Sequence, residues 1–268
     1  MIIKNEFFSI PQICESGQCF RLQQTDEDRY ELYAGERFVE LCIRDDETEV
    51  CSMDEEDEEF WRNYFDLETD YSRYFDQISP EDEYLVNASR FGRGIRILRQ
   101  DVWEMIITFI LSQQNNIPRI RQLIRTLCEQ YGRKKRRPDG TIYDAFPSPE
   151  DLSGVTEERL RELKLGYRSK YICGTVRKVL DREVDLEMLA HMDDAAARAE
   201  LMKLPGIGGK VADCICLFAL HQMDAFPVDT HIRKVLEEYY PGGFPFERYK
   251  GCAGLMQQYI FYYDLNAR

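Results

Sequence analysis

The sequence contains no uninterrupted apolar run approaching the ~20 residues that a bilayer-spanning helix requires, and its first residues do not pair a basic stretch with an apolar segment of the kind that directs secretion. No membrane partner is expected. A protein kept inside the cell is the expectation, in the cytoplasm or nucleoid of a bacterium or the nucleus of a eukaryote. Internal repeats, low-complexity tracts and Ser/Gly linkers are also missing. The nine cysteines, at positions 14, 19, 42, 51, 128, 173, 214, 216 and 252, follow neither the paired spacing of a zinc site nor that of a disulfide framework. Reduced thiols, no metal and no cofactor are the reading that follows.

Positive charge is scarce as well, since 35 Lys and Arg face 49 Asp and Glu for a net charge of −14. That balance argues against a nucleic-acid partner until it is divided along the chain. Residues 1–96 hold 10 basic and 25 acidic side chains, a balance of −15, whereas the remainder holds 25 and 24, a balance of +1. The acidity is local, and the run Asp54-Glu55-Glu56-Asp57-Glu58-Glu59 dominates it as a solvated loop or helix start. Residues 119–137 carry eight basic side chains against Glu129 alone, a local field able to meet a phosphate backbone.

With 268 residues and 44% hydrophobic content, the chain can bury one large core or two smaller ones. Its character changes near residue 85. Before that point Tyr30-Glu31-Leu32-Tyr33 and Arg37 to Arg44 alternate in polarity around Ala34-Gly35-Glu36, which predicts an antiparallel hairpin, and Glu58 to Phe65 reads as a helix. Beyond it, helical patterns cover Val102 to Leu111, a segment opened by Asn116-Ile117-Pro118, Glu157 to Leu163, Lys170 to Leu180, Asp194 to Leu204, Lys210 to Leu220 and Asp229 to Tyr239. The expected fold is α+β: an N-terminal domain over 1–84 with an antiparallel sheet, packed on a mainly helical domain over 85–268.

The most informative segment is Leu204-Pro205-Gly206-Ile207-Gly208-Gly209-Lys210-Val211, followed by Pro227-Val228-Asp229-Thr230-His231. Glycines at i and i+2 after a proline allow a tight hairpin between two helices, over about 196–220, whose second helix offers free N–H groups to a phosphate. A nucleotide loop is excluded, because Val211 stands where the Walker pattern needs Ser or Thr. Lys210 at that helix start, with the Asp229 carboxylate brought in by the next segment, is a lysine that can attack a sugar carbon beside a docked phosphate. Upstream, an apolar helix ends in the amides Gln113, Gln114, Asn115 and Asn116, neutral groups suited to filling the gap left by an extruded base, although a single Asn serves equally as a helix cap.

These motifs, together with Ser16-Gly17-Gln18-Cys19-Phe20-Arg21 and the segment Ala253 to Phe261, resemble the helix-hairpin-helix DNA glycosylases, and specifically the 8-oxoguanine DNA glycosylase/lyases. The resemblance covers most of the chain. It implies a monomeric enzyme that removes 8-oxoguanine from duplex DNA, with Lys210 as nucleophile and Asp229 as its paired carboxylate. Cys214 and Phe261 are implied as the two faces around the flipped base, Gln257 as the reader of its Watson–Crick edge, and the Gly17 carbonyl as acceptor for the N7 hydrogen of the lesion. Without the resemblance, Cys214 and Cys216 read as small core residues. Gly206, Gly208, Val211 and His231 are implied as phosphate contacts; Arg119, Tyr167 and Arg168 as groups that hold the orphaned cytosine or wedge the stack, alongside Asn115. Gln114 stands where animal-type members carry asparagine, which implies a relaxed choice of opposite base. The clustered C-terminal cysteines that hold an iron–sulfur cluster in endonuclease III relatives are missing, the last cysteine being Cys252. A glycosylase for another damaged base and a non-catalytic DNA-binding protein are the alternative expectations.

Overall fold

In the computed structural model, which describes residues 1–267, the chain opens with strand β1 (Ile2–Lys4), helix α1 (Ile10–Glu15) and strands β2 (Leu22–Asp26), β3 (Arg29–Ala34), β4 (Arg37–Arg44) and β5 (Glu47–Met53). These five form one antiparallel sheet in the order β1-β5-β4-β3-β2. The hairpin expected from the alternation is present: Ala34 pairs with Arg37 across Gly35 and Glu36, with Gly35 at φ 56°. Tyr30, Leu32 and Ala34 face inward, as the period of two requires.

The helical part follows as α2 (Glu58–Tyr64), α3 (Ser72–Asp76), α4 (Glu83–Phe91), α5 (Val102–Ser112), α6 (Ile117–Tyr131), a two-stranded hairpin of β6 (Lys134–Arg136) and β7 (Ile142–Asp144), then α7 (Glu157–Glu162), α8 (Arg168–Leu180), α9 (Leu186–Leu189), α10 (Asp194–Leu201), α11 (Gly209–Phe218), α12 (Thr230–Tyr239) and α13 (Ala253–Asn266). Local chemistry sets several starts. The side chains of Asp101, Asn116, Thr156, Asp193 and Asp229 each accept a backbone N–H from the first turn, and Pro118 sits in the first turn of α6, where its missing donor costs nothing. Helix α13 lies against α4 and α12 with residues 253–260 all buried. It has no polar face, so it shows no helical period in the sequence.

One expectation fails here. Cys42 and Cys51 are bonded across β4 and β5, with Cα atoms 6.2 Å apart, while the other seven cysteines are free, so the thiols are not all reduced. Nine positions of separation look unremarkable in sequence, but the hairpin makes neighbours of them. In the basic run 133–137, four of the five side chains are ion-paired, and Arg136 donates to the Gly140 carbonyl. Arg133 pairs with Asp151 at 3.1 Å, Lys134 with Asp144 at 2.5 Å, Lys135 with Glu36 at 2.6 Å and Arg137 with Glu31 at 2.7 Å. Of these, Lys135 with Glu36 and Arg137 with Glu31, together with Arg21 donating to the Asp144 carbonyl, fasten the β6–β7 hairpin to the five-stranded sheet.

The two parts have separate hydrophobic cores, one under the sheet and one among the helices. A buried polar bracket joins them. Gln18 is wholly buried; its amide donates to the Arg96 carbonyl at 2.9 Å and its amide oxygen accepts from Leu98 N–H at 3.0 Å. The Gln100 side chain returns a bond to the Gln18 carbonyl at 2.9 Å, and Gln100 N–H donates to Phe218 at the end of α11 at 3.0 Å. Residues 96–100 are thereby an extended strap whose buried polar groups are met by side chains and by single main-chain carbonyls of helices instead of by a sheet. Gln18→Ala leaves the Arg96 carbonyl and the Leu98 N–H unmet, each costing ~1–3 kcal/mol. Calorimetry should show Tm lower by ~5–15 °C, whereas a change within ~2 °C would contradict the bracket.

Candidate active site

Helices α10 and α11 meet through a tight turn in which the two glycines have different duties. Gly206 has φ +81°, and a Cβ there would lie 2.5 Å from the Tyr171 ring, so both backbone and space demand glycine. Gly208, at φ −94°, is ordinary extended backbone with nothing within 4 Å of a would-be Cβ: it keeps the approach to the helix end open. The first ladder bond of α11 runs from Ala212 N–H to the Gly208 carbonyl, so the N–H groups of Gly209, Lys210 and Val211 precede any acceptor of their own helix. Val211 has a buried side chain, which restricts it to main-chain contact.

Behind this turn lies a cavity of about 50 Å³. Helix α11 contributes Lys210, Cys214 and Phe218 at four-residue spacing, hence on one face. The loop before α12 contributes Pro227 and Asp229, α13 contributes Gln257, Gln258 and Phe261, α5 contributes Phe109, and the N-terminal part contributes Ser16 and Gly17. The six residues that the resemblance implies for catalysis and base contact, Gly17, Lys210, Cys214, Asp229, Gln257 and Phe261, therefore line one space. Ser16, Phe109, Phe218, Pro227 and Gln258 share it and were not anticipated.

The charges in the cavity come from exposed Lys210, whose Nζ lies 5.9 Å from the centre of the Phe109 ring, and half-buried Asp229. Asp229 is the N-cap of α12; its Oδ1 accepts Ile232 N–H at 2.9 Å, which fixes the direction of the carboxylate. Burial pushes the Cys214 thiol up to about 11 although the neighbouring lysine pulls it down, so Cys214 presents a neutral sulfur wall. Gln257 donates to the Pro227 carbonyl at 3.1 Å and accepts from the Gln258 amide at 3.2 Å. At the rim, His231 Nδ1 lies 2.9 Å from Asp264 Oδ2, and the His231 ring meets Phe261 edge-on at 5.9 Å. Among the described residues no three His, Cys, Asp or Glu converge as a metal site would require.

The amide run divides in the way its residue types allow. Asn115 caps the end of α5 through the Leu111 carbonyl at 2.8 Å, and Asn116 caps α6 through Arg119 N–H at 3.0 Å. Gln114 projects to solvent at φ +52°. Gln113 is a hub that the sequence motif did not mark: its amide donates to the Gly206 carbonyl at 2.9 Å, and its own carbonyl accepts from Arg168 Nε at 3.0 Å and from the Tyr167 hydroxyl at 3.4 Å. Arg168 is thus a buried brace, stacked 4.6 Å from the Tyr167 ring centre, whereas Tyr167 is exposed beside it. The Arg119 guanidinium bonds Gln122 and the Lys164 carbonyl.

Two family models divide most of the chain. One described as 8-oxoguanine DNA glycosylase, N-terminal domain matches residues 1–106, and one described as HhH-GPD superfamily base excision DNA repair protein matches residues 107–243. The chain belongs to the 8-oxoguanine DNA glycosylase family of that superfamily. An N-glycosylase/DNA lyase of Saccharomyces cerevisiae is 31% identical over 90% of this chain and 70% of its own length. N-glycosylase/DNA lyase OGG1 of Arabidopsis thaliana is 34% identical over 86% of this chain and 66% of its own. The Clostridium acetobutylicum 8-oxoguanine glycosylase/lyase, solved in complex with duplex DNA carrying cytosine opposite 8-oxoguanine, superposes with a TM-score of 0.91 at 34% identity, covering 100% of this chain and 98% of that one.

Gly17 generates a prediction for this family member. It sits at φ +73°, and a Cβ there would lie 3.0 Å from the Phe261 ring. Gly17→Ala combines a left-handed penalty of ~1–2 kcal/mol with displacement of a cavity wall. Single-turnover base excision should fall by roughly tenfold to hundredfold while affinity for undamaged duplex stays the same. Equal losses in both assays would contradict a local role.

Proposed function

We propose that the chain is a bifunctional 8-oxoguanine DNA glycosylase and abasic-site lyase in which one lysine performs both reactions. The observation that carries this reading is the convergence of Lys210 and Asp229 with Gly17, Cys214, Gln257 and Phe261 on one cavity behind a helix-hairpin-helix turn. Pairing of the lysine with a capped carboxylate has no purpose in a protein that only binds DNA. The part over 1–84 supplies Gly17, the part over 85–268 supplies the remainder, and one chain completes the site, as befits a monomer. Such an enzyme works where the cell keeps its DNA.

Phosphates of the damaged strand dock on the N–H groups at the start of α11, assisted by His231 and by the open approach at Gly208. The lesion nucleotide turns out of the stack into the cavity, Gln114, Asn115, Arg119 and Tyr167 take its place, and Arg168 holds that group in position through Gln113. The Phe261 ring lies against Gly17 and the cavity holds only about 50 Å³, so the ring swings aside to admit a purine between itself and Cys214. Gln257 meets the Watson–Crick edge, and the Gly17 carbonyl accepts the N7 hydrogen that distinguishes 8-oxoguanine from guanine. The neutral amine of Lys210 attacks C1′ as the bond to N9 breaks, Asp229 stabilises the positive charge that develops on the sugar, and the proton released by the nitrogen goes to the departing base. Ring opening gives a Schiff base; loss of a C2′ proton then expels the 3′ phosphate by β-elimination.

Lys210→Gln should retain binding to a lesion duplex, since it removes one cation among several phosphate contacts, and should lose base release and borohydride trapping altogether. Asp229→Asn should keep the fold and slow excision by roughly a hundredfold or more. Strand cleavage by purified Lys210→Gln at the wild-type rate would overturn the nucleophile, and excision by Asp229→Asn at that rate would reduce Asp229 to a helix cap.

A further inference from the structure

Gln257 and Gln258 are adjacent on α13, and both line the cavity that holds Lys210 and Asp229. Their amides are oriented by a chain of constraints that begins at Pro227. A carbonyl oxygen can only accept, so Gln257 must turn its NH₂ toward the Pro227 carbonyl, 3.1 Å away. Its Oε1 then faces Gln258, and Gln258 must answer with its own NH₂, at 3.2 Å. The Oε1 of Gln258 is what remains: it is buried and meets no hydrogen-bond donor, on a residue only 3% exposed. Flipping either amide would set oxygen against oxygen at one link of the chain, so the arrangement is determined by chemistry. An unmet buried acceptor is costly unless a partner arrives.

We infer that Gln258 is a second specificity-determining residue of this site, whose Oε1 accepts a hydrogen bond from the exocyclic 2-amino group of the flipped purine. The inference rests on the proposed excision of 8-oxoguanine and deepens it. On the Watson–Crick edge that Gln257 meets, 8-oxoguanine carries donors at N1 and at the 2-amino group, and Gln257 has already committed one lone pair of its oxygen to Gln258. The neighbouring orphan acceptor serves the second donor. An 8-oxopurine without the 2-amino group leaves that acceptor unmet, and a site that has to bury an unpaired polar group rejects the ligand responsible.

The test is single-turnover excision from duplexes carrying either 8-oxoguanine or 8-oxohypoxanthine, which differ in the 2-amino group, opposite cytosine. Wild type should favour 8-oxoguanine by about tenfold or more. Gln258→Met fills the same length with an apolar chain; it should slow removal of 8-oxoguanine about tenfold more than removal of 8-oxohypoxanthine, so that the preference collapses. Gln258→Asn withdraws the oxygen by one methylene while keeping the amide. It should show the same collapse, and it serves as the decisive variant if Gln258→Met fails to fold. Equal slowing of both substrates would mean that Gln258 merely supports Gln257 and would overturn the inference, as would an unchanged preference. A wild type active on neither base would overturn instead the reading of function beneath it.

Discussion

The buried amide of Gln18 is the contact on which the rest of the cavity depends. One wall, Gly17, belongs to the part of the chain built around the sheet, and the opposite wall belongs to α11 in the helical part. Gln18 follows Gly17 directly and is hydrogen-bonded on both its side chain and its carbonyl to the strap 96–100, which in turn holds the end of α11 at Phe218. Side chains buried at this depth are exchanged for solvent at high cost, so the bracket ties Gly17 to the helix carrying Lys210. The Arg96 guanidinium strengthens the strap from its other side, donating to the carbonyls of Phe7, Asp66 and Thr69 while lying 3.9 Å from the Tyr71 ring centre. The discrimination proposed for the Gly17 carbonyl, an N–H against a lone pair, needs such rigidity.

The second constraint is electrostatic. The excess of negative charge lies in residues 1–96, and part of the densest basic run is paired with carboxylates there, Arg137 with Glu31 and Lys135 with Glu36. The start of α11, with its open approach at Gly208 and the exposed Lys210, carries no such neutralising pair among the ion pairs described. Binding of this kind depends on main-chain N–H geometry as well as on summed charge, which is how a protein of net charge −14 can act on DNA.

Much of this was legible before the structure. Alternation marked β3 because one of its faces is buried, whereas β4 buries residues on both faces, and Asp229 was legible as a cap because capping is local chemistry. Lys210 was legible because glycines at a turn and a lysine after them restrict the backbone and the chemistry together. Helix α13 was not, since burial on all sides erases the helical period. Cys42 and Cys51 became neighbours only through strand pairing. Gln18, Gln113 and Gln258 escaped for a shared reason: an amide both donates and accepts, and its duty is decided by partners far away in sequence, such as Leu98 for Gln18 and Gly206 for Gln113.

The central claim is that one lysine at the start of α11 joins covalently to the sugar. Its most direct test is to trap wild-type protein on an 8-oxoguanine duplex with borohydride, digest the adduct with protease and nuclease, and locate the added sugar mass by tandem mass spectrometry. The account predicts the modification on Lys210 alone; an adduct on Lys203, on the N-terminal amine or on any other residue would contradict it.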